Sequence, residues 1–486
     1  MASNNEFSAK PPPVQRDRPM SLPRQELLAL LRLALPLIGA QLAYVAMVFT
    51  DTLMMGRLGP AALAGGGLGA AVYSFVSVIC VGVITAVANL AALRRGAGDT
   101  AGVAAVTAAG IWIAAVLALL AGTLLWHIEP LLALAGQPEA SRQAAGVFLR
   151  CLAFALPGHL LFMTLRGFTS ALDRPGPVLT IVLGAAVLNA LFNLALLQGW
   201  GGLPQPGLPG IGAVTAVVMN GAALGLALYI ARHPAYAAYP LRRYLRRPDR
   251  RALADTLGQG LAISGTYAVE ACLFLSAALC MGALGATALA ANQIANQLVY
   301  LVFMLPAGLS YATSIRIGQH QGAGRPREAL LVGRLAIGGG ALVMLGIALL
   351  FWSFPAWLVG LFLPDAGSPV SELARQLVLI AALFVIFDGT QSIAQGALRG
   401  IRQARLGFYG GLLCYCLIGA SSAWLLGVYG GFGPRGVWWG LALGLACAAV
   451  LLTGAFEWLM RRQLDSNAAP QASLPPVAAP AMAQNG

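Results

Sequence analysis

Charge is scarce in this chain, and lysine nearly absent. Only 10% of its 486 residues are charged, against about 25% in an ordinary soluble domain, and Lys10 is the sole lysine. A Gly-rich phosphate loop of the Walker type needs a lysine that reaches the nucleotide, so ATP use of that kind is excluded. Histidine is rare too. The four at positions 127, 159, 233 and 320 are scattered, and no His-Glu-x-x-His occurs. No nucleophile–base pair can be assembled from what remains, and the chain is not expected to be an enzyme. The seven cysteines fall within apolar stretches and read as small buried side chains, not as a disulfide framework or a metal site. Residues 1–20 are polar and Pro-rich with no apolar core of a signal peptide, so the first transmembrane helix is expected to direct insertion.

Apolar residues dominate instead: 58% of the chain is hydrophobic and the mean hydropathy is +0.76. This is the composition of an all-α, polytopic membrane protein. A net charge of +13 invites a nucleic-acid partner, but the basic residues lie in the gaps between apolar runs, not along one face of a soluble domain. The expected partners are the lipid bilayer and small molecules, with no nucleic acid and a monomeric chain.

A helical span needs about 20 largely apolar residues, and twelve such runs occur, the first near 32–56, the fourth near 146–168 and the last near 437–459. The fifth and sixth are divided by the Gly/Pro-rich turn from Gly199 to Gly212, which one helix could not contain. If the termini and the connections after even-numbered spans share one side, that side holds 25 of the 30 Lys and Arg, leaving Arg57, Arg142, Arg150, Arg375 and Arg435 on the other. The positive-inside rule then places both termini in the cytoplasm of a multi-pass inner (plasma) membrane protein. The expected organisation is a disordered tail over 1–22, an N-lobe over 23–231, a basic cytoplasmic linker over 232–256 that lies against anionic headgroups, a C-lobe over 257–464 and a second disordered tail over 465–486.

The two halves repeat. Shifted by 226 residues, Met55–Ala64 lies over Met281–Ala290 with seven of ten positions identical, and the same ungapped register places Gly82 over Gly308 and Gly96 over Gly322. Six spans per half is an even number, so both halves enter the membrane in the same direction and form two six-helix bundles related by a parallel repeat, with a cavity expected between them.

Three carboxylates break that repeat. Asp51, Glu270 and Asp388 fall on Ala277, Tyr44 and Phe162. Each sits in an apolar run with no basic neighbour in sequence, where an ionised carboxylate costs about 2.5–3.5 kcal/mol at the bilayer centre. Residues needed only to hold a bundle together should tend to recur in both halves, so the three acids are candidates to hold a cation or a proton. Gln41 and Tyr44 share a helical face with Asp51, within about 80° at 100° per residue, and Asp388 shares one with Gln391, Ser392 and Gln395. Asn189, Asn193 and Gln293 add amides on other spans; interhelical hydrogen bonding is the plainer role for such residues. Amides and carboxylates also supply the oxygen ligands a hard cation prefers, which makes Glu270 and Asp388 the metal candidates if the ion is Na⁺. Burial disfavours a charged carboxyl and a bound cation favours it, so such a site can exchange a proton or Na⁺ against a cationic substrate. No cofactor is required beyond that coupling ion.

Several separated motifs resemble those of the multidrug and toxic compound extrusion (MATE) transporters. They are Asp51 ahead of Met54-Met55-Gly56, Glu270 in the seventh span, Ala291-Asn292-Gln293 and Met304-Leu305-Pro306 in the eighth, and Asp388 with Gly396-Ala397-Leu398-Arg399-Gly400 in the tenth. They occur in order over about residues 25 to 460, and within the family they are most similar to the bacterial NorM-type branch. The resemblance implies a two-lobed, V-shaped twelve-helix exporter of cationic drugs driven by Na⁺ or H⁺. Asp51 would then belong to an N-lobe cavity together with Asn189 and Asn193, and Glu270 and Asp388 would form a C-lobe cation site. Phe303 departs from the pattern: some members carry a tyrosine there, so that hydroxyl is missing from this chain. The expected function is an antiporter working by alternating access. A lipid-linked precursor flippase of the same superfamily is the alternative, disfavoured because the charges read within the spans are acidic and no mid-span Arg or Lys is evident.

Overall fold

The computed structural model describes residues 22–199, 207–363 and 367–468. The expected tails therefore fall outside the described residues except at Leu22 and 465–468, as does most of the turn between Gly199 and Gly212. Among the described residues all regular structure is helical. The first half comprises α1 (Leu22–Arg57), α2 (Pro60–Gly96), α3 (Thr100–Trp126), the short α4 (Glu129–Leu134), α5 (Glu139–Ala153), α6 (Ala155–Ala171), α7 (Gly176–Gln198) and α8 (Leu208–Arg232). A single 3-10 turn at Pro234–Tyr236 and α9 (Leu241–Arg246) lead to α10 (Arg250–Ala283), α11 (Ala286–Gly322), α12 (Pro326–Ser353), α13 (Pro355–Gly360), α14 (Pro369–Gly400), α15 (Ala404–Gly411), α16 (Ser421–Trp424) and α17 (Gly433–Ala468). Eleven helical segments are long and apolar enough to cross a membrane, and the pair α5–α6, bent by 45°, makes twelve.

Local chemistry explains the helix ends. Asp99 accepts from the Gly102 N–H at 2.7 Å to cap α3, Asp249 accepts from the Arg251 N–H at 2.8 Å to cap α10, and Ser368 caps α14. Each satisfies one of the donors a helix start leaves free. The bend between α5 and α6 has a cause in Pro157, which lacks an N–H and whose ring crowds the carbonyl four residues back. That residue is Ala153, the last of α5. Asn220 of α8 donates to the Phe154 carbonyl at 2.8 Å, so a backbone group at the break is paired on the outer face of the bundle, as hydrocarbon surroundings demand. The eleventh span departs from α geometry: π-helical turns cover Leu412–Ala420 and Leu425–Tyr429.

Large apolar side chains such as Leu119, Leu120 and Val450 are exposed by 63–74%, as a lipid-facing surface requires. Inside, α1 packs on α7 within its own half and on α11 of the other, while α2 packs on α10 and α11. The repeat is visible in these contacts. A Cβ on Gly82 of α2 would lie 2.6 Å from Ser264 Cα on α10, and one on Gly308 of α11 would lie 2.5 Å from Ile38 Cγ1 on α1. Ile38 and Ser264 are themselves equivalent under the 226-residue shift, so each contact is the image of the other across a twofold relation.

Candidate functional site

The helix frame gathers the polar residues of the first half around Asp51. Its carboxylate, 9% exposed, accepts from Asn193 Nδ2 at 2.7 Å and from Thr215 Oγ1 at 2.9 Å, and the same amide of Asn193 donates to Asn189 Oδ1 at 3.3 Å. Asn189 and Asn193 are one helical turn apart on α7, so both face α1. Thr215 on α8 escapes a sequence reading, because a lone threonine in an apolar helix commonly bonds back to its own turn. It does so here as well, to the Ile211 carbonyl at 3.1 Å.

Tyr44 and Gln41, on the same face of α1, go to different partners. The Tyr44 ring stacks on His159 of α6 with centroids 5.5 Å apart, and Tyr73 Oη lies 3.4 Å from His159 Nδ1. Gln41 accepts from Arg166 of α6 at 2.8 Å. The polar stripe of α1 thus runs from the Asp51 cluster through an aromatic group to an arginine.

In the second half, Glu270 on α10 and Asp388 on α14 lie close enough for their charges to interact. Gln391 Nε2 donates to Asp388 Oδ1 at 3.2 Å. Above it, Tyr415 Oη donates to Gln391 Oε1 at 2.6 Å and accepts from Gln395 Nε2 at 2.7 Å. Tyr415 is fully buried and comes from the π-helical part of the eleventh span. Its hydroxyl serves this group of amides, where Phe303 offers none. Two neighbouring carboxylates, Asp388 buried and Glu270 partly buried, call for a proton or a cation between them. Such a cation would find oxygen donors on Asp388 and Glu270, while the Gln391 oxygen is engaged by Tyr415 and Gln395.

Gln293 does not join this group. It is exposed, whereas its neighbour Asn292 is 1% exposed and accepts from Trp438 Nε1 at 3.1 Å. The one set of His and acidic groups spaced for a metal among the described residues is Glu26, His320 and Glu328. Arg316 grips Glu26 through two bonds of 2.9 and 3.1 Å, and the two ring nitrogens of His320 face Glu26 at 3.2 Å and Glu328 at 3.0 Å. That is an ion-pair cluster joining α1 to α11, with its oxygens already engaged.

One expectation needs correcting. Basic side chains do enter the bundle interior: Arg166 of α6 is 7% exposed and Arg399 of α14 is 6% exposed. Both stand near span ends in sequence and read there as loop charges; the fold turns them inward. Both follow a leucine and precede a glycine, and their partners are equivalent. Arg166 donates to Gln41, and Arg399 donates to Tyr267 Oη at 2.9 Å, positions that coincide under the 226-residue shift.

The family model MatE matches residues 36–195 and 262–425, one interval in each half. The chain is 55% identical over 447 residues to the probable multidrug resistance protein NorM of Pseudomonas syringae pv. tomato, covering 91% of this chain and 97% of that protein. It is 56% identical over 451 residues to the protein of the same name in Pseudomonas aeruginosa, covering 92% of each. Among solved structures, the outward-facing conformation of a multidrug resistance MATE family transporter superposes with a TM-score of 0.82 at 18% identity, covering 93% of this chain and 99% of that one. The eukaryotic MATE transporter AtDTX14 superposes with a TM-score of 0.78 at 20% identity, covering 92% and 100%. At these identities the two structures speak for the fold alone.

Proposed function

This chain belongs to the MATE family, in its NorM-type branch, and from that premise we propose that it exports cationic amphipathic compounds in exchange for Na⁺ or H⁺. It is a multidrug efflux transporter of twelve membrane helices and not an enzyme. The observation that carries the exchange is the pair Glu270 and Asp388, close enough for their charges to interact and with no ion pair to either carboxylate among the described residues. A coupling ion there and a cationic substrate bias the two-state arrangement of the halves in opposite directions, and a gradient across the membrane supplies roughly 2.3 kcal/mol per charge per 100 mV. Asp51, with Asn189, Asn193 and Thr215, forms a second polar site in the other half. Tyr44, Gln41 and Gln293 remain candidates for contact with substrate, Gln293 from an exposed position.

The two lobes are assigned to residues 23–231 and 257–464, with the Arg-rich connection 232–256 and both termini in the cytoplasm of a monomer in the bacterial inner membrane. A flippase for a pyrophosphate-linked lipid would want basic groups in its cavity. With Arg166 and Arg399 buried, charge sign alone no longer separates the two functions; the NorM relatives at 55–56% identity favour drug export.

Efflux of a fluorescent organic cation from proteoliposomes, under separately imposed Na⁺ and pH gradients, tests the proposal. One of the gradients should drive efflux, and Glu270→Gln and Asp388→Asn should reduce it to the passive leak. Efflux that neither gradient drives, or that both variants sustain at the parental rate, would overturn it.

A further inference from the structure

Two arginines, one from each half, converge on a single ring. The guanidinium carbon of Arg166 lies 4.9 Å from the centroid of Tyr311, on α11, and that of Arg399 lies 6.0 Å from the same centroid. Both side chains are at least nine-tenths buried. Their hydrogen-bond partners are neutral: Gln41 and the Met163 sulfur for Arg166, Tyr267 and Ser310 for Arg399. Among the described residues no carboxylate lies within ion-pair distance of either guanidinium.

A buried charge is costly unless it is paired, and two of like sign on one ring repel each other besides. A tyrosine face offsets part of that, about 2 kcal/mol when desolvated; Arg399 has a second ring in Tyr267, at 5.9 Å, whereas Arg166 lies over Tyr311. Glu270 lies near enough to Arg399 to interact with its charge, but what is missing beside Arg166 is a negative charge. Beside Arg166 there is room for a small one. A cavity of about 30 Å³ is lined by Arg166, Ser170, Thr85 and Tyr311 with apolar walls from α1, α2 and α11. That volume suits one occupant the size of a water molecule or a halide. Ser170 is 1% exposed and its Oγ has no hydrogen-bond partner, which leaves a buried hydroxyl free to donate into the space.

We infer that this cavity is a binding site for a small monovalent anion, chloride in the cell, held by Arg166 and Ser170 at the seam between the halves. The site is built where α11 of one half lies against α1, α2 and α6 of the other. An anion in it therefore binds this packed arrangement and is released when the halves separate, which makes it a ligand of one transport state. The inference stands apart from the choice of coupling cation at Glu270 and Asp388.

The test uses the purified full-length protein at constant Na⁺ and ionic strength, with gluconate replaced stepwise by bromide or chloride. Either halide should raise the melting temperature along a saturating curve. Crystals grown in bromide should show an anomalous peak at hydrogen-bonding distance from the Arg166 guanidinium. Ser170→Ala should weaken the halide response about tenfold, the scale of one lost hydrogen bond to a charged group, and Arg166→Met should abolish it. Ser170→Ala removes a single oxygen, so it keeps the test open if the arginine variant does not fold. Equal melting in gluconate and halide, an unchanged response in Ser170→Ala, or a cavity that holds only water in bromide would each overturn the inference.

Discussion

Gly96 at the end of α2 and Gly322 at the end of α11 each lie against the backbone of the other's helix. A Cβ on Gly96 would overlap the Gln319 carbonyl oxygen, and one on Gly322 would overlap the Leu93 carbonyl oxygen. The two glycines are equivalent under the repeat, and so are Leu93 and Gln319. The halves therefore touch here through a symmetric backbone-to-backbone contact that no other residue permits.

Gly96→Ala and Gly322→Ala should accordingly each destabilise the protein by about 1–3 kcal/mol, the usual cost of forcing a methyl group into a packed contact, and by similar amounts. Gly67→Ala, on the same α2 with nothing within 4 Å of the added carbon, should be neutral or stabilising by up to about 1 kcal/mol. Melting temperatures in detergent read all three. Parental melting of Gly96→Ala and Gly322→Ala would show that the halves do not approach this closely.

Tyr415→Phe keeps the ring that fills its fully buried position but removes the hydroxyl between Gln391 and Gln395. Gln391 is the residue that hydrogen-bonds Asp388 beside Glu270, and losing the Tyr415 bond removes about 1–1.5 kcal/mol of support. We expect the coupling-ion concentration for half-maximal efflux to shift about tenfold with little change in melting temperature. An unshifted ion dependence would mean that the hydroxyl only packs.

Thr215→Val is nearly isosteric and removes one donor from Asp51 while leaving the Asn193 amide in place. A weakened bond to a buried carboxylate costs about 1–3 kcal/mol. The effect should fall on substrate affinity and leave the ion dependence set at Glu270 and Asp388 unchanged, because distant sites act additively. Equal damage to both would argue that the two carboxylate clusters work as one.

Glu26 and Arg316 tie α1 to α11 through two hydrogen bonds, with the Glu26 side chain 7% exposed and that of Arg316 22% exposed. A double-mutant cycle with Glu26→Gln and Arg316→Gln should give a coupling energy of about 1–3 kcal/mol, above the range of a fully exposed pair. Spin labels on the Glu26 end of α1 and the Gly322 end of α11 should report a wider separation in Glu26→Gln. No coupling and no widening would make the pair incidental to the closure of that end.

Much of this protein is decided along the chain. Hydropathy and the placement of arginine are local quantities, so the twelve spans can be counted before any fold is known, and the fourth span survives as a bent pair because Pro157 disturbs it without ending it. The repeat is equally local, and its register holds in three dimensions at Gly82, Gly96, Gly308 and Gly322. Asp51, Asn189, Asn193, Gln391 and Asp388 stand out as polar groups in apolar runs, and the fold does gather them. What sequence could not decide is which way a helix is turned and what stands opposite. Thr215 and Tyr415 look like ordinary apolar-helix residues until α8 and the π-helical turns aim their hydroxyls at carboxylate clusters. Gln293 looks like Asn292 until rotation about α11 exposes one and buries the other. Arg166 and Arg399 read as loop charges until packing of α6, α11 and α14 closes over them. Composition and periodicity depend on neighbours in sequence, whereas burial and partnership depend on rotation and close approach between helices, which only the assembled bundle determines.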